Sequence, residues 1–249
     1  MQGAGIGALC DRGLMRARRI VLGLAALGLL TGAGKMDPEN PTCPANPDFG
    51  PASAMTLTPA MRGGKKVLLA EGMIDAGLPA RLKAAIEADD QIEEIWLRSR
   101  GGNARAGNEA GKIIRSYRGM LTRIPSGWAC FSACNFVFMG GDRRVVDEGG
   151  IFMVHMFTHT TDRAAIDEVV IEGSKATTEY IASIEQSSAL LASEDNDFLI
   201  RMGISRKLLT DIMYRQQAVK SAENPSTRYC LSQDEVRAYN VMPIEKRAP

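Results

Sequence analysis

Short apolar segments alternate with longer segments of helical periodicity through the middle of the chain, and this alternation constrains the fold more than any other feature. Val67–Ala70 and Ile92–Leu97 have the length of buried strands, and residues 78–88 between them place apolar side chains at helical spacing. The pattern continues with a helix over 104–117, a strand over 120–124, an apolar helix over 131–139 and two strand segments within 144–156. Strands alternating with helices of about 12 residues predict βαβ crossovers, a largely parallel sheet and therefore an α/β fold.

The two ends of this α/β region have a different character. After Thr160, residues 162–191 and 196–217 predict the two helices of a C-terminal helical arm, which spans about 162–217. A last short helix begins at Ser232, and Glu235 three residues later completes a capping box. Residues 35–64 are rich in Pro, Asn and Gly, which predicts a flexible or loosely docked leader before a main domain over 65–249.

The N-terminus has the layout of a secretory signal peptide. Arg16, Arg18 and Arg19 precede the apolar run Ile20–Leu30, and the small residues Thr31–Gly34 follow it. The segment from Ile20 through Gly34 is about 15 residues long, shorter than the roughly 20 of a spanning helix. Residues 1–34 therefore predict a signal peptide, with a short membrane anchor as the alternative. The protein is expected to be exported to the periplasm, with membrane contact only through an uncleaved N-terminal segment.

Composition excludes several classes of partner. The net charge is +1 without a basic block, and aromatic residues make up 6% of the chain, which argues against nucleic-acid binding. Beyond Cys130 and Cys134, no His/Cys set or acidic cluster has metal-ligand spacing, so neither a metal nor a cofactor is expected.

Cysteine usage fits an oxidising compartment. Of the five cysteines, removal of the signal leaves four, which allow three disulfide pairings. We favour Cys130 with Cys134 and Cys43 with Cys230, and free buried thiols are the alternative.

A serine among small residues gives the first indication of chemistry. Ser132 lies within Cys130–Cys134, at the predicted junction between a strand and an apolar helix. A nucleophile placed there has an exposed Oγ, and the start of the helix favours negative charge developing beside it. The alternative is that Ser132 only caps the helix.

Acyl transfer by serine requires a base within hydrogen-bond reach, usually histidine. Of the two histidines, His155 ends the apolar strand Ile151–Val154, where ligands collect in an α/β sheet, whereas His159 lies in a polar stretch typical of a loop. Gly101 and Gly102 follow another predicted strand, and such a turn can direct backbone N–H groups toward a substrate as an oxyanion hole.

Together these segments resemble the Clp protease proteolytic subunit, ClpP, with signal peptide peptidase A and the crotonases as further relatives. The shared order is strand, Ser-x-Gly-Gly, helix, strand, small-x-Ser-small, helix, strand ending in His, and helical arm, over roughly residues 67–241. The resemblance is nearest to exported ClpP-like proteins that carry Cys-x-Ser-Ala-Cys. It implies a ClpP/crotonase-like fold of repeated ββα units, with Ser132 as nucleophile, His155 as base, and the amides of Gly102 and Ala133 as oxyanion hole. It also implies a homo-oligomer assembled through the arm and a peptide or unfolded-protein substrate.

The chain departs from the ClpP pattern at two places. No carboxylate stands at the family's triad-acid position, where this chain has Ser226–Tyr229, and Arg100 stands where the family often has proline. Either the site is a Ser–His dyad, or His155 is oriented by one of three candidate residues, namely Glu223, Asp211 and Ser226. A serine–lysine pair like that of signal peptide peptidase A would need Lys112 or Lys175, and Cys134 is an alternative nucleophile.

The sequence thus predicts a periplasmic ClpP-like serine hydrolase, a peptidase that forms an acyl-enzyme on Ser132. The alternative is a catalytically weak or inactive ClpP-like protein that binds peptide or acts as a scaffold, because loss of the orienting acid can cost as much as about 10⁴ in rate. A crotonase acting on an acyl thioester is disfavoured, because coenzyme A is not expected outside the cytoplasm.

Overall fold

A computed structural model describes residues 35–160, 162–221 and 225–243, so the predicted signal peptide over 1–34 lies outside the described residues. The helices and strands follow in chain order: β1 (Thr56–Arg62), β2 (Lys65–Glu71), α1 (Leu78–Glu87), β3 (Glu94–Arg98), α2 (Ala104–Ser116), β4 (Leu121–Ile124), β5 (Ala129–Phe131), α3 (Ala133–Met139), β6 (Arg143–Val146), β7 (Ile151–His155), α4 (Arg163–Glu172), α5 (Ser174–Met202), α6 (Lys207–Met213), β8 (Arg228–Cys230) and α7 (Gln233–Ala238).

The strands form two sheets. The larger has the order β1-β2-β3-β4-β6, with β1 antiparallel to β2 and every other pair parallel. The smaller has the order β5-β7-β8, with β5 and β7 parallel and β8 antiparallel to β7. A bridge between Ser99 and Cys130 connects the end of β3 to β5. The predicted α/β class with largely parallel strands is confirmed, and β1-β2-α1, β4-β5-α3 and β6-β7-α4 repeat the ββα order.

The core lies between the larger sheet and the helices that cover it. Helix α2 buries Ala106, Ala110 and Ile114 along one face, because apolar residues three to four apart share a side of a helix. Every residue of α3 is buried. The ring of Phe136 meets that of Phe198 edge-on at 5.2 Å between centroids, which fixes α5 against α3. Helices α3 and α5 are thereby held beside the carboxyl end of β7.

The helical arm is divided differently from the prediction over 162–191 and 196–217. The break falls at Gly173, whose φ of 104° ends α4, and α5 then runs without interruption through the polar residues 193–197. Helix continues there because Leu191 and Phe198 are buried on one face of it, so tertiary packing outweighs the weak local propensity.

The segment over 35–64 also differs from the expected flexible or loosely docked leader. Its last part is β1, and Cys43 is joined to Cys230 in a disulfide. The fully buried Asn40 accepts hydrogen bonds from the backbone N–H groups of Thr227 and Arg228, each at 3.0 Å. The Asn40 carbonyl oxygen is therefore satisfied by the backbone preceding and within β8 rather than by water.

No helix within residues 35–160, 162–221 and 225–243 is both long enough and apolar enough to cross a membrane.

Candidate active site

Ser132 occupies a sharp turn between β5 and α3. Its backbone has φ 59° and ψ −126°, outside the regions that a side-chain-bearing residue ordinarily adopts. Such conformations persist only where the surroundings impose them, and they concentrate at functional sites. The turn leaves the Ser132 Oγ 2.7 Å from the His155 Nε2, within hydrogen-bond distance.

The register of the smaller sheet explains how these two side chains meet. Strands β5 and β7 are parallel neighbours, and Phe131 pairs with Met153. The residue after Phe131 and the last residue of β7 therefore emerge at the same edge of the sheet. Neighbouring parallel strands thus bring together two residues that are 23 positions apart in sequence.

The surroundings of His155 favour its neutral form. Burial lowers the pKa of the imidazole below its usual 6.5, and a hydrogen bond with the Met156 backbone opposes that shift. The Phe131 ring lies 4.7 Å from the imidazole ring between centroids and covers one side of it. A neutral imidazole in contact with a serine hydroxyl is chemically able to accept its proton.

Gln216, which no sequence pattern predicts, fixes the backbone on both sides of His155. This buried side chain accepts a hydrogen bond from the Met156 N–H at 3.0 Å and donates one to the Val154 carbonyl at 3.4 Å. Both bonds are to main chain, so the end of β7 is held in place without contact to the imidazole itself. A single buried glutamine 60 and 62 residues from its two partners leaves no pattern in the sequence.

The described side-chain contacts of Asp211 and Ser226, two of the three candidate orienting residues, are with groups other than His155. Asp211 accepts a hydrogen bond from the Tyr239 hydroxyl at 3.2 Å. The Ser226 hydroxyl donates to the Arg228 carbonyl at 3.3 Å. Glu223 lies outside the described residues. Within the described part of the chain, no carboxylate forms an ion pair with His155.

The glycine loop after β3 lies directly against Ser132. A β-carbon at Gly101, whose φ is 89°, would come within 2.6 Å of the Phe131 carbonyl oxygen and 3.0 Å of the Ala133 nitrogen. Gly102, with φ 141°, packs as closely on Ile74. Both positions thus require glycine.

Ser99 holds this loop. Its buried hydroxyl donates to the Gly72 carbonyl at 2.5 Å and accepts from the Gly101 N–H at 3.0 Å. The parallel bridge between Ile74 and Gly102 uses the Gly101 carbonyl and the Asn103 N–H. The Gly102 N–H takes no part in that bridge, and it points away from Ile74 because the C=O and N–H of a trans peptide have opposite directions.

Both favoured disulfides are present. Cys130 and Cys134 are joined across the turn that carries Ser132, and Cys43 is joined to Cys230 of β8. Cys134 is therefore not a thiol in this structure, which removes the basis for treating it as the nucleophile.

The other candidate bases are not brought next to Ser132. The Lys175 side chain is 90% exposed and pairs with Glu179. Lys112 is exposed on α2. The His159 ring lies edge-on to that of Phe157, 5.0 Å between centroids, in the segment after β7.

A cavity of about 270 Å³ opens beside the Ser132–His155 pair. It is bounded by α3, β7, α5 and α6, and most of the side chains in its wall are apolar. An apolar cavity with a few polar groups next to a nucleophile is the usual form of a substrate side-chain pocket.

Comparisons with known proteins give similarity at the level of solved structures. No protein-family model matches the chain, and no curated protein matches it. A point mutant of ClpP1 from Listeria monocytogenes has a TM-score of 0.45 at 14% identity, over 72% of this chain and 91% of that one. ClpP1 from Listeria monocytogenes itself gives 0.40 at 11% identity, over 70% and 86%. DspI from Pseudomonas aeruginosa gives 0.33 at 16% identity, over 40% of this chain and 52% of that one. At such scores, the case for a function depends on the geometry of the site itself.

Proposed function

We propose that the protein is a ClpP-like serine hydrolase that cleaves peptide bonds through an acyl-enzyme on Ser132. The observation that carries the proposal is the 2.7 Å contact between the Ser132 Oγ and the His155 Nε2, in a turn whose backbone is held outside the ordinary regions. A serine that only caps a helix bonds a backbone N–H, but Ser132 makes no such capping bond to α3.

The chemistry follows from the positions of these groups. His155 takes the Ser132 proton as the Oγ attacks the scissile carbonyl carbon, and the carbonyl oxygen becomes an oxyanion. The N–H groups of Gly102 and Ala133 donate to that oxyanion. The imidazolium then protonates the departing amine, the C–N bond breaks, and the acyl group remains on Ser132. Water, deprotonated by His155, hydrolyses the ester and regenerates the serine.

A fluorophosphonate probe tests the proposal on the protein without residues 1–34. We expect covalent labelling, located at Ser132 by peptide mass spectrometry, and loss of labelling in Ser132→Ala and His155→Ala. Ser126→Ala is a matched control, because it removes a serine hydroxyl from a turn outside the site. Absence of labelling from folded wild-type protein would contradict the proposal.

The second candidate is a catalytically weak or inactive ClpP-like protein that binds peptide or acts as a scaffold. It is favoured by one observation, the lack of a carboxylate paired with His155 among the described residues. It predicts peptide binding that survives Ser132→Ala, together with no turnover by the wild type.

We further propose export to the periplasm, with residues 1–34 as signal peptide, and assembly into a homo-oligomer through α4 and α5. Two disulfides suit an oxidising compartment. Helices α4 and α5 expose large apolar side chains, namely Val170, Ile171, Ile181 and Leu190. Cell fractionation tests the first proposal, and light scattering after size exclusion tests the second, since a cytoplasmic location or a monomer would contradict them.

A further inference from the structure

The wall of the cavity beside Ser132 includes two polar side chains, Asn135 and Asp195, among its mostly apolar residues. Its apolar wall includes Phe136, Met139, Leu191 and Met213. The buried Oδ1 of Asn135 on α3 has no hydrogen-bond partner among the described residues, and the Oδ1 of Asp195 on α5 has only the nearby Asn108 amide, at less than ordinary hydrogen-bond geometry. Buried polar atoms of folded proteins nearly always have partners, so both exceptions need an explanation.

Asn135 is held in one orientation by the sheet. It is 4% exposed, and its Nδ2 donates to the Met153 carbonyl of β7 at 2.7 Å. Because the nitrogen is engaged there, the acceptor Oδ1 is the atom left over. No donor of the described residues bonds this oxygen, and Asn135 belongs to the wall of the cavity.

Asp195 adds a charge. It lies on the inward face of α5 between the buried Leu191 and Phe198. Burial raises the pKa of its carboxyl to about 6, Asn108 and Lys112 lower it, and the neighbouring Glu194 raises it further. At neutral pH the carboxyl is therefore mostly ionised, yet within the described residues it forms no ion pair.

We propose that this cavity is the pocket for the substrate residue on the acyl side of the scissile bond, and that it selects a basic side chain, lysine or arginine. The inference rests on the proposed function of Ser132. An aliphatic stem suits the apolar wall, and a cationic head provides donors for both Asp195 and Asn135. No lysine or arginine lies among the described residues that line the cavity, so that role is left to the substrate.

The other classes of side chain fit less well. A purely apolar side chain fills the cavity but leaves the Asn135 Oδ1 without a donor and the Asp195 carboxylate without a countercharge, which is costly for a carboxylate that is largely buried. An acidic side chain is repelled by Asp195. The preference should therefore follow the charge of the substrate side chain rather than its size.

The test compares peptidyl diphenyl phosphonates, which react covalently with the serine of serine hydrolases and carry a chosen acyl-side residue. The pair contains lysine or norleucine, which share a four-carbon stem and differ in the ammonium group, and the second-order rate of labelling at Ser132 is measured. We expect the lysine probe to label at least tenfold faster. Arginine and glutamate probes complete the series, with arginine fast and glutamate slowest.

Substitution of the carboxyl makes the test specific. Asp195→Asn keeps the shape of the side chain and should abolish the preference for lysine while norleucine still labels. Glu194→Gln, next to it on the exposed side of α5, is the matched control and should keep the preference. The wild-type lysine-to-norleucine ratio should also fall as the pH drops below about 6. Titration of His155 changes both rates equally and leaves that ratio unchanged.

The outcomes separate the two proposals. If the fluorophosphonate labels Ser132 but lysine and norleucine probes react equally, the basic-pocket proposal is wrong and the serine hydrolase stands. The same conclusion follows if the preference persists in Asp195→Asn. If no probe labels the folded protein, both proposals fail together.

Discussion

Removal of the two disulfides, one at a time, should separate stability from activity. The Cys43–Cys230 bond closes a loop across 187 residues, whereas Cys130–Cys134 spans only 4. In the chain-entropy description, the stabilisation grows with the logarithm of the loop length, to about 5 kcal/mol for the long loop and about 2 kcal/mol for the short one. Replacing Cys43 and Cys230 by serine should therefore cost more than twice as much stability as replacing Cys130 and Cys134.

The effect on the site should run in the opposite order. The short disulfide encloses Ser132, which has φ 59°, and a residue held in such a region costs of order 1–3 kcal/mol. Without the bond between Cys130 and Cys134, the turn can relax toward an ordinary conformation and move the Oγ away from His155. Loss of about 1.4 kcal/mol of this preorganisation corresponds to about a tenfold slower reaction.

Two measurements on each variant test this reasoning. Urea unfolding can be followed by the fluorescence of Trp96 and Trp128, and with m-values of about 1–3 kcal/mol/M the long-loop variant should lose roughly 2 M in midpoint. The fluorophosphonate labelling rate is then compared at a urea concentration where both variants are folded. The long-loop variant should keep the wild-type rate, and the Cys130→Ser, Cys134→Ser variant should label about tenfold more slowly. The reasoning is refuted if the short-loop variant is the less stable, or if it labels at the wild-type rate.

Three further predictions concern the site. Gln216→Ala should slow labelling of Ser132 more than Gln216→Glu, which keeps an acceptor for the Met156 N–H, and equal rates for the two variants would contradict the role of Gln216 as a positioning residue. Gly101→Ala should abolish labelling and lower the urea midpoint, because its β-carbon would lie 2.6 Å from the Phe131 carbonyl oxygen; an active variant would show that the loop is not in contact with the turn. The labelling rate should fall at acid pH with an apparent pKa below 6.5, because burial lowers the pKa of His155. The stability of the fold should also decrease as the pH drops through 6.5, since the unfolded state then binds a proton that the folded state does not. An apparent pKa above 6.5 for the labelling rate would refute this.

The sequence predicts those elements whose residues carry a clear period. Helix α2 and strand β2 are long enough to show it, and the structure has them close to the predicted residues. Strands β5 and β8, of three residues each, are too short to show any alternation. Strand β1 contains Pro59 and is largely exposed, as befits an edge strand, so its residues resemble a loop in sequence.

The residues of the candidate site also fall into those that the sequence could predict and those that it could not. Ser132 could be proposed because small residues surround it before an apolar helix, and His155 because it ends the apolar strand β7. Gln216 and Asp195 could not, because both are polar residues in polar stretches, and only long-range packing buries them. Their contributions depend on where the helical arm returns to β7 and α3, which local sequence does not encode.

His155 shows how a site can be ordered without an adjacent carboxylate. A triad acid has two effects, since it fixes the orientation of the imidazole and stabilises the imidazolium formed during proton transfer. Gln216 fixes the strand end and Phe131 covers the ring, so the first effect has a substitute. Stabilisation of the imidazolium has a weaker substitute, because burial lowers the pKa of His155 and only the hydrogen bond with the Met156 backbone opposes that shift. Among the described residues, proton transfer from Ser132 therefore creates a partly buried cation without an anionic partner. A well-oriented site should thus acylate more slowly than a triad, unless substrate binding supplies the missing charge.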